Sequence, residues 1–532
     1  MVILYDRIKF FYLAVRKMKA FIHQFFMLSL IIAFFLCACS ENQQENDTQG
    51  FPNIVYILAD DLGYGDLTCY NPESKIATGH LDRLAREGMM FTDAHSGSAV
   101  CTPTRYGILT GRYAWRSTLK RGVTWSYDPL LIDTKRLTVA SLLKTHGYHT
   151  ACIGKWHLGL DWQQDASGKT DITLPVKNGP NNVGFDYFFG ITASLDIPPY
   201  VYMENDRATT TSIDTIEAME GKAFWRRGPI GDDFKHKEVL PKLTEKAVDY
   251  IKQRAEGEAP FFLYFPLPAP HTPILPTDEF TGKSGVKAYG DFVLMVDDLV
   301  AQIVSALEEN GLKENTLIIF TSDNGCAPVA GIKEMNSFGH YPSYIFRGHK
   351  ADIFEGGHRV PFIANWPAKI KGGAQSDETV CLTDFMATCA GITDSELPDN
   401  AGEDSFNLLP VLFRESYEAP LREATVHHSV DGYYAIRQGK WKLLFCPGSG
   451  GWSFPKPKEA RAEGLPMMQL YDLETDPGEQ ENLADQHPSI VKNLTELMAK
   501  YTREGRSTPG SPRQNEGETP FLPDEVYQRK WQ

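Results

Sequence analysis

With 532 residues, 42% hydrophobic and 23% charged, the chain has the composition of a globular protein with enough apolar material for a large core, which excludes fibrous and disordered classes. Its formal charge of −15 argues against nucleic acid as a partner, and means that any anionic ligand must be held by a local cluster of cations. No internal repeat and no Pro/Gly/Ser-rich linker divides the middle of the chain, so one large domain with a smaller companion is expected.

The first 38 residues stand apart. Arg16, Lys17 and Lys19 precede an uncharged apolar run from Phe25 to Leu36 that is too short for a comfortable membrane span, the pattern of a signal peptide. The run ends in Leu36-Cys37-Ala38-Cys39, which resembles the bacterial lipoprotein box, whose cysteine is lipidated and becomes the mature N-terminus; a plain secretory signal with two incidental cysteines is the alternative. Removing this segment leaves 48 basic against 67 acidic side chains, a formal charge of −19. A lipidated Cys39 implies an exported protein on the periplasmic or cell-surface face of an envelope membrane, with residues 39–50 as a polar tether. Seven cysteines follow, at 69, 101, 152, 326, 381, 389 and 446, without a CxxC pair, so a zinc ribbon has no support and at least one thiol stays outside any internal disulfide.

Residues Asn53 to Ala59 form a β-branched-rich run that reads as a fully buried strand stopping at Asp60-Asp61-Leu62-Gly63. Cys101-Thr102-Pro103-Thr104-Arg105 reads as a helix start, with Thr102 as N-cap and Pro103 in the first turn, which sets Cys101 beside unpaired backbone N–H groups. Phe188 to Tyr202 is the segment expected to shape a substrate subsite. Within it Ser194 and Asp196 offer a hydroxyl and a carboxylate suited to sugar hydroxyls, although Asp196 equally suits a turn before Pro198-Pro199. From Asp291 to Asn310 apolar residues recur at helical spacing, and Thr316 to Thr321 repeats the buried-strand pattern before Ser322-Asp323-Asn324-Gly325. Strand and helix alternation predicts an α/β sheet with helices on both faces. After about residue 421 shorter segments, Tyr433–Arg437, Trp441–Phe445 and Gln469–Leu473, predict a small antiparallel sheet. The expected division is a catalytic domain over 51–420 and a C-terminal subdomain over 421–532.

Asp60, Asp61, Asp323 and Asn324 supply only hard oxygen ligands, which favours calcium or magnesium over zinc or copper. A single Asp at a strand end more often caps a helix or forms a turn, but two doublets at equivalent strand ends point to a metal. The sequence Cys101-Thr102-Pro103-Thr104-Arg105, followed by Gly107-Ile108-Leu109-Thr110-Gly111-Arg112, resembles the formylglycine signature of the arylsulfatase-type sulfatases. The likeness continues through Asp60 to Asp66, Gly154-Lys155-Trp156-His157-Leu158-Gly159, Pro270-His271-Thr272-Pro273, Ser322 to Gly325, Lys350 to Pro361 and Leu470 to Leu483.

What the resemblance implies is an alkaline-phosphatase-like fold: a large mixed sheet with helices on both faces and a smaller C-terminal antiparallel sheet. It also implies a sulfuric ester hydrolase with one calcium ion, acting on a sulfated carbohydrate, with galactose or N-acetylgalactosamine units as first expectation. Cys101 would be oxidised by a sulfatase-maturating enzyme to formylglycine, whose hydrate offers one hydroxyl to attack sulfur and a second to expel sulfate. Asp60, Asp61, residue 101, Asp323 and Asn324 would hold the metal. Arg105, Lys155 and Lys350 would neutralise the formylglycine oxygens and the sulfate. His271 would be the general acid on the leaving oxygen and His157 the base that triggers release, with Lys155, Lys350, His271, Ser194 and Asp196 touching substrate. Related phosphatases and phosphodiesterases generally use Ser or Thr and two zinc ions with His ligands, whereas Asn324 stands where a second-metal His is expected. An inactive glycan-binding lipoprotein would show a damaged site, and every position that can be placed is intact. His146, His149, His340, His349, His358, His427 and His428 receive no assignment.

Overall fold

The computed structural model describes residues 50–519; the signal peptide, Cys39 and the tether up to residue 49 lie outside the described residues. Its centre is a run of five parallel strands: β1 (Asn53–Ala59), β2 (His149–Lys155), β3 (Tyr187–Ile191), β4 (Phe261–Pro266) and β5 (Thr316–Ser322), arranged in the order β5-β1-β4-β2-β3. Antiparallel strands extend both edges, Phe362–Asn365 beside β5 and Tyr202–Glu204 beside β3, to make a ten-stranded mixed sheet.

Each central strand is apolar on both sides because both faces are covered. On β1, Val55, Ile57 and Ala59 join a core with the helices Gly79–Glu87 and Val239–Ala255, whereas Ile54, Tyr56 and Leu58 join a second core with Val139–Thr145 and Phe385–Ile392. Helix α1 (Cys101–Thr110) lies on the second face and α2 (Lys287–Glu309) on the first. Helix α2 starts one turn before the expected Asp291, since the Tyr289 hydroxyl donates to Asp66 Oδ2 and draws that turn into the core.

The predicted C-terminal sheet is present as β6 (Thr425–His428), β7 (Tyr434–Gln438), β8 (Trp441–Leu444) and β9 (Gln469–Asp472), antiparallel in that order. It is backed by α3 (Pro488–Glu504) through Val491, Leu494 and Met498. All seven cysteines of the described residues are free thiols. Among the described residues no helix is long and apolar enough to cross a membrane.

Candidate active site

Parallel strands release their loops at one end of the sheet, and the candidate residues collect there. In the β1–β5 register Ala59 aligns with Ser322, so Asp60-Asp61 and Asp323-Asn324 leave the sheet side by side, and the Asp61 amide donates to Asp323 Oδ1 at 3.1 Å. Lys155 ends β2, Ser194 follows β3 and His271 follows β4. Helix α1 delivers Cys101 and Arg105 from the second face, and the backbone around Lys350 is tied in by its amide, which donates to the Cys326 carbonyl. All twelve candidate residues, Asp60, Asp61, Cys101, Arg105, Lys155, His157, Ser194, Asp196, His271, Asp323, Asn324 and Lys350, are buried.

The helix start differs from the expected one. Val100, with extended backbone, takes the N-cap position, the helix opens at Cys101 itself, and Thr102 does not cap it. Its hydroxyl instead donates to the His157 carbonyl at 2.9 Å, which fastens α1 to the loop after β2. Tertiary demand outcompetes the local cap.

Cations and carboxylates interlock around Cys101. Lys155 Nζ reaches Asp60 Oδ2, Arg105 bridges Asp323 at 2.8 Å and Asp60 at 3.4 Å, and Lys350 reaches Asp61 at 2.7 Å. Burial alone raises a carboxyl's pKa, but for Asp60 the Lys155 ammonium, with His271, Arg105 and Lys350, outweighs it and holds the group far below the usual range. Asp323 goes the other way: burial and then the Asp60 charge push it up to about 7. Burial raises the Cys101 thiol too, against the pull of Lys155 and Lys350.

Two side-chain oxygens in this knot have no hydrogen-bond partner although they are buried: Asp60 Oδ1 and Asn324 Oδ1. The Asn324 amide nitrogen donates to Asp61 Oδ1 at 2.7 Å, while its oxygen has no partner. Asp60, Cys101 and Asp323 each present a ligand atom within 4.8 Å of the other two, as do Asp60, Asp61 and His271. Orphaned hard oxygens beside clustered carboxylates fit a calcium ion. Counting only the three carboxylates and three cations of the knot, the charge is balanced; a divalent ion tips it positive, as an anionic ester requires.

The two histidines are held differently. His157 sits at φ +53°, strained for a residue with a Cβ, and its Nε2–H donates to the Thr124 carbonyl at 2.9 Å while Nδ1 is left buried and without a partner. Burial, then Lys155 and Arg105, drives its pKa well down, so it is a neutral imidazole with a free lone pair. His271 Nδ1 lies 2.5 Å from the Thr272 carbonyl and 3.1 Å from Ser194 Oγ, and its Nε2 is 3.6 Å from Asp61 Oδ2. Burial, followed by Lys350, lowers its pKa as well.

Ser194 Oγ also accepts from Lys155 Nζ at 3.3 Å, which ties the loop after β3 into the centre. Asp196 is paired through Oδ2 with Arg226, and its Oδ1 is buried without a partner. The Arg226 guanidinium lies over the Trp125 and Phe224 rings, 5.1 and 5.0 Å from their centroids. Neither Arg226 nor Thr124 is singled out by the sequence, because each comes from an irregular loop with no motif of its own.

Comparison with known proteins agrees with this arrangement. Residues 52–395 match the family model described as Sulfatase, and 348–504 match the C-terminal model of N-sulphoglucosamine sulphohydrolase. The chain is 35% identical to the N-acetylgalactosamine-6-O-sulfatase of Bacteroides thetaiotaomicron, over 87% of this chain and 96% of that protein. It is 30% identical to the N-acetylgalactosamine-6-sulfatase of Mus musculus, over 87% and 88%. A solved structure from the glycosaminoglycan-metabolism locus of Bacteroides thetaiotaomicron superposes with a TM-score of 0.75 at 34% identity, covering 85% of this chain and 99% of that one.

Proposed function

The chain belongs to the sulfatase family, a sulfuric ester hydrolase by fold and site, and from that premise we propose that it removes a 6-O-sulfate from galactose or N-acetylgalactosamine units of a glycan. The observation that carries the reading is the buried knot of carboxylates, cations and imidazoles around Cys101 at one end of the sheet. The likeness to two galactosamine 6-sulfatases supports the sugar and the position.

Asp60, Asp61, Asp323 and Asn324, with residue 101, would hold calcium, which supplies positive charge to sulfate oxygens when bound. Conversion of Cys101 to formylglycine by a maturation enzyme supplies a hydrated aldehyde as the nucleophilic group. Arg105 keeps that residue's oxygens and Asp323 in register, while Lys155 and Lys350 face the sulfate and offset its charge. His271 Nδ1 donates to the Thr272 carbonyl, while Ser194 Oγ lies 3.1 Å from Nδ1 and 3.4 Å from Nε2, so Nε2 is the nitrogen available to protonate the leaving sugar oxygen; an entering anion raises the imidazole's proton affinity and loads it. His157 keeps its proton on Nε2 and accepts one at Nδ1 when sulfate departs.

Asp196 Oδ1 is an unfilled acceptor in the wall beside Ser194 and His271, and a ring hydroxyl of the sugar satisfies it. Export and anchoring through a lipidated Cys39 complete the reading and place the enzyme where glycans arrive.

The test uses full-length protein made with a maturation enzyme, with formylglycine at 101 confirmed by peptide mass spectrometry. Sulfate release is then followed over 3-, 4- and 6-O-sulfated galactose and N-acetylgalactosamine and their oligosaccharides. Release concentrated on 6-O-sulfated substrates is expected. Modified protein that releases no sulfate from any of them, or prefers another position, would overturn the proposal.

A further inference from the structure

A second group of buried titratable residues lies outside the knot just described. His95 stands on the short strand Ala94–His95, His358 ends the turn Glu355–His358, and His427 is on β6 of the C-terminal sheet. All three are fully buried, and one ring nitrogen of each lies within 4.8 Å of those of the other two.

Their outer nitrogens are already engaged. His95 Nε2 is 2.9 Å from Asp93 Oδ1, His427 Nδ1 is 3.0 Å from the Ser96 carbonyl, and His358 Nε2 is 3.2 Å from the Ile353 carbonyl. A ring nitrogen that donates to such an acceptor carries its proton there and leaves the other nitrogen as a bare lone pair. The inner atoms are then His95 Nδ1, His358 Nδ1 and His427 Nε2. The first two face each other at 3.1 Å, and the third is buried with no partner at all.

Three ring nitrogens this close in a dry interior, one of them without a partner, cost free energy unless something electropositive lies among them. A proton on His358 Nδ1 serves only the His95–His358 pair, with His358 Nε2 then accepting from Lys442 at 3.0 Å. It leaves His427 Nε2 unserved.

We propose that His95, His358 and His427 bind one divalent transition-metal ion of the zinc class, a site separate from the calcium centre. Imidazole is a ligand of zinc, copper and nickel rather than of calcium, and a ligating histidine is ordinarily oriented by a carboxylate or carbonyl on its other nitrogen, as all three are here. Burial lowers the pKa of His95, His358 and His427, which favours the neutral, ligating form. Arg437 and Lys442 also approach the outer nitrogens of His95 and His358, at 2.9 and 3.0 Å, and each is paired with acids as well, Arg437 with Asp93 at 2.6 Å and Lys442 with Glu355 at 3.0 Å and Glu479 at 2.8 Å; neither reaches His427 Nε2. His358 and His427 stack nearly parallel, at 8° with centroids 3.9 Å apart, so a shared ion would require these two rings to tilt toward a common point. The ion would clasp β6 to the two main-domain segments that carry Cys101 and Lys350.

The experiment takes the full chain, stripped of transition metals by a chelator and returned to calcium-containing buffer, and titrates cobalt(II) alone. One equivalent of cobalt with the visible ligand-field bands of a low-coordinate nitrogen site is expected, displaced by one equivalent of zinc. Those bands should vanish in His427→Gln and persist in Asp323→Ala, which damages only the calcium centre. Failure of the wild-type chain to take up stoichiometric cobalt or zinc overturns the proposal even if His427→Gln does not fold. Bands that survive His427→Gln and vanish in Asp323→Ala overturn it too, by placing the ion at the calcium centre.

Discussion

Single residues in this site do work that their type alone does not reveal. His157 and His271 are both buried imidazoles of lowered pKa, yet one shows a free nitrogen to the interior and the other is braced at Nδ1 by the Thr272 carbonyl beside Ser194. If His271 protonates the leaving oxygen, its removal must hurt most where the departing group is basic. His271→Ala should therefore lower turnover of a sulfated sugar by about 10²- to 10⁴-fold and that of an activated aryl sulfate far less. Parallel steady-state kinetics on both substrates check this, and equal losses would remove His271 from the acid role. That Asp60, Cys101, His271 and Lys350 would gather in one place was legible in the sequence because each sits in a dense motif. The partner of Asp196 was not, since Arg226 is brought to it only by the fold of an irregular loop.

At the level of elements, α1 shows what a motif encodes beyond its chemistry. The sequence predicted a helix starting near Cys101, but a cap at Thr102 reads local propensity, whereas the structure spends that hydroxyl on the His157 carbonyl. The other end of α1 is set by Gly111, which lies at φ +62°; a Cβ there would meet Gly402 Cα and Met386 Cβ, both at 2.9 Å. The glycine thus permits both the left-handed stop and the close approach of the distant segments carrying Met386 and Gly402. Gly111→Ala should destabilise the protein by about 1–3 kcal/mol, a cost of strain and overlap rather than of chemistry. Denaturant midpoints measure it, and an unchanged midpoint would mean that α1 is not pinned at this turn. The buried strands β1 and β5 were legible for the opposite reason: a strand covered on both faces needs a continuous apolar run, a signal independent of what packs against it.

On the scale of the whole molecule, the C-terminal sheet is part of the site's scaffold rather than an attachment. The Ala99 amide donates to the His428 carbonyl at 3.0 Å, two residues before Cys101, and the Val430 amide donates to Ala351, next to Lys350. Sequence patterning revealed that a small sheet follows the main domain, but not this clasp, because backbone hydrogen bonds between distant segments leave no compositional trace. The clasp is reinforced by Lys442 of β8, fully buried, which pairs with Glu355 at 3.0 Å and Glu479 at 2.8 Å. Removing one partner of a buried ion pair leaves uncompensated charge in a low dielectric, so Lys442→Gln should cost about 3–5 kcal/mol. Because the same contacts support the segments carrying Cys101 and Lys350, that loss should appear as one unfolding transition at lower denaturant, with sulfate release falling along the same curve. Far-ultraviolet dichroism and activity measured across a denaturant series decide the matter. Two separated transitions, with activity outlasting the first, would show that the C-terminal sheet melts alone and that the catalytic end of the large sheet stands without it.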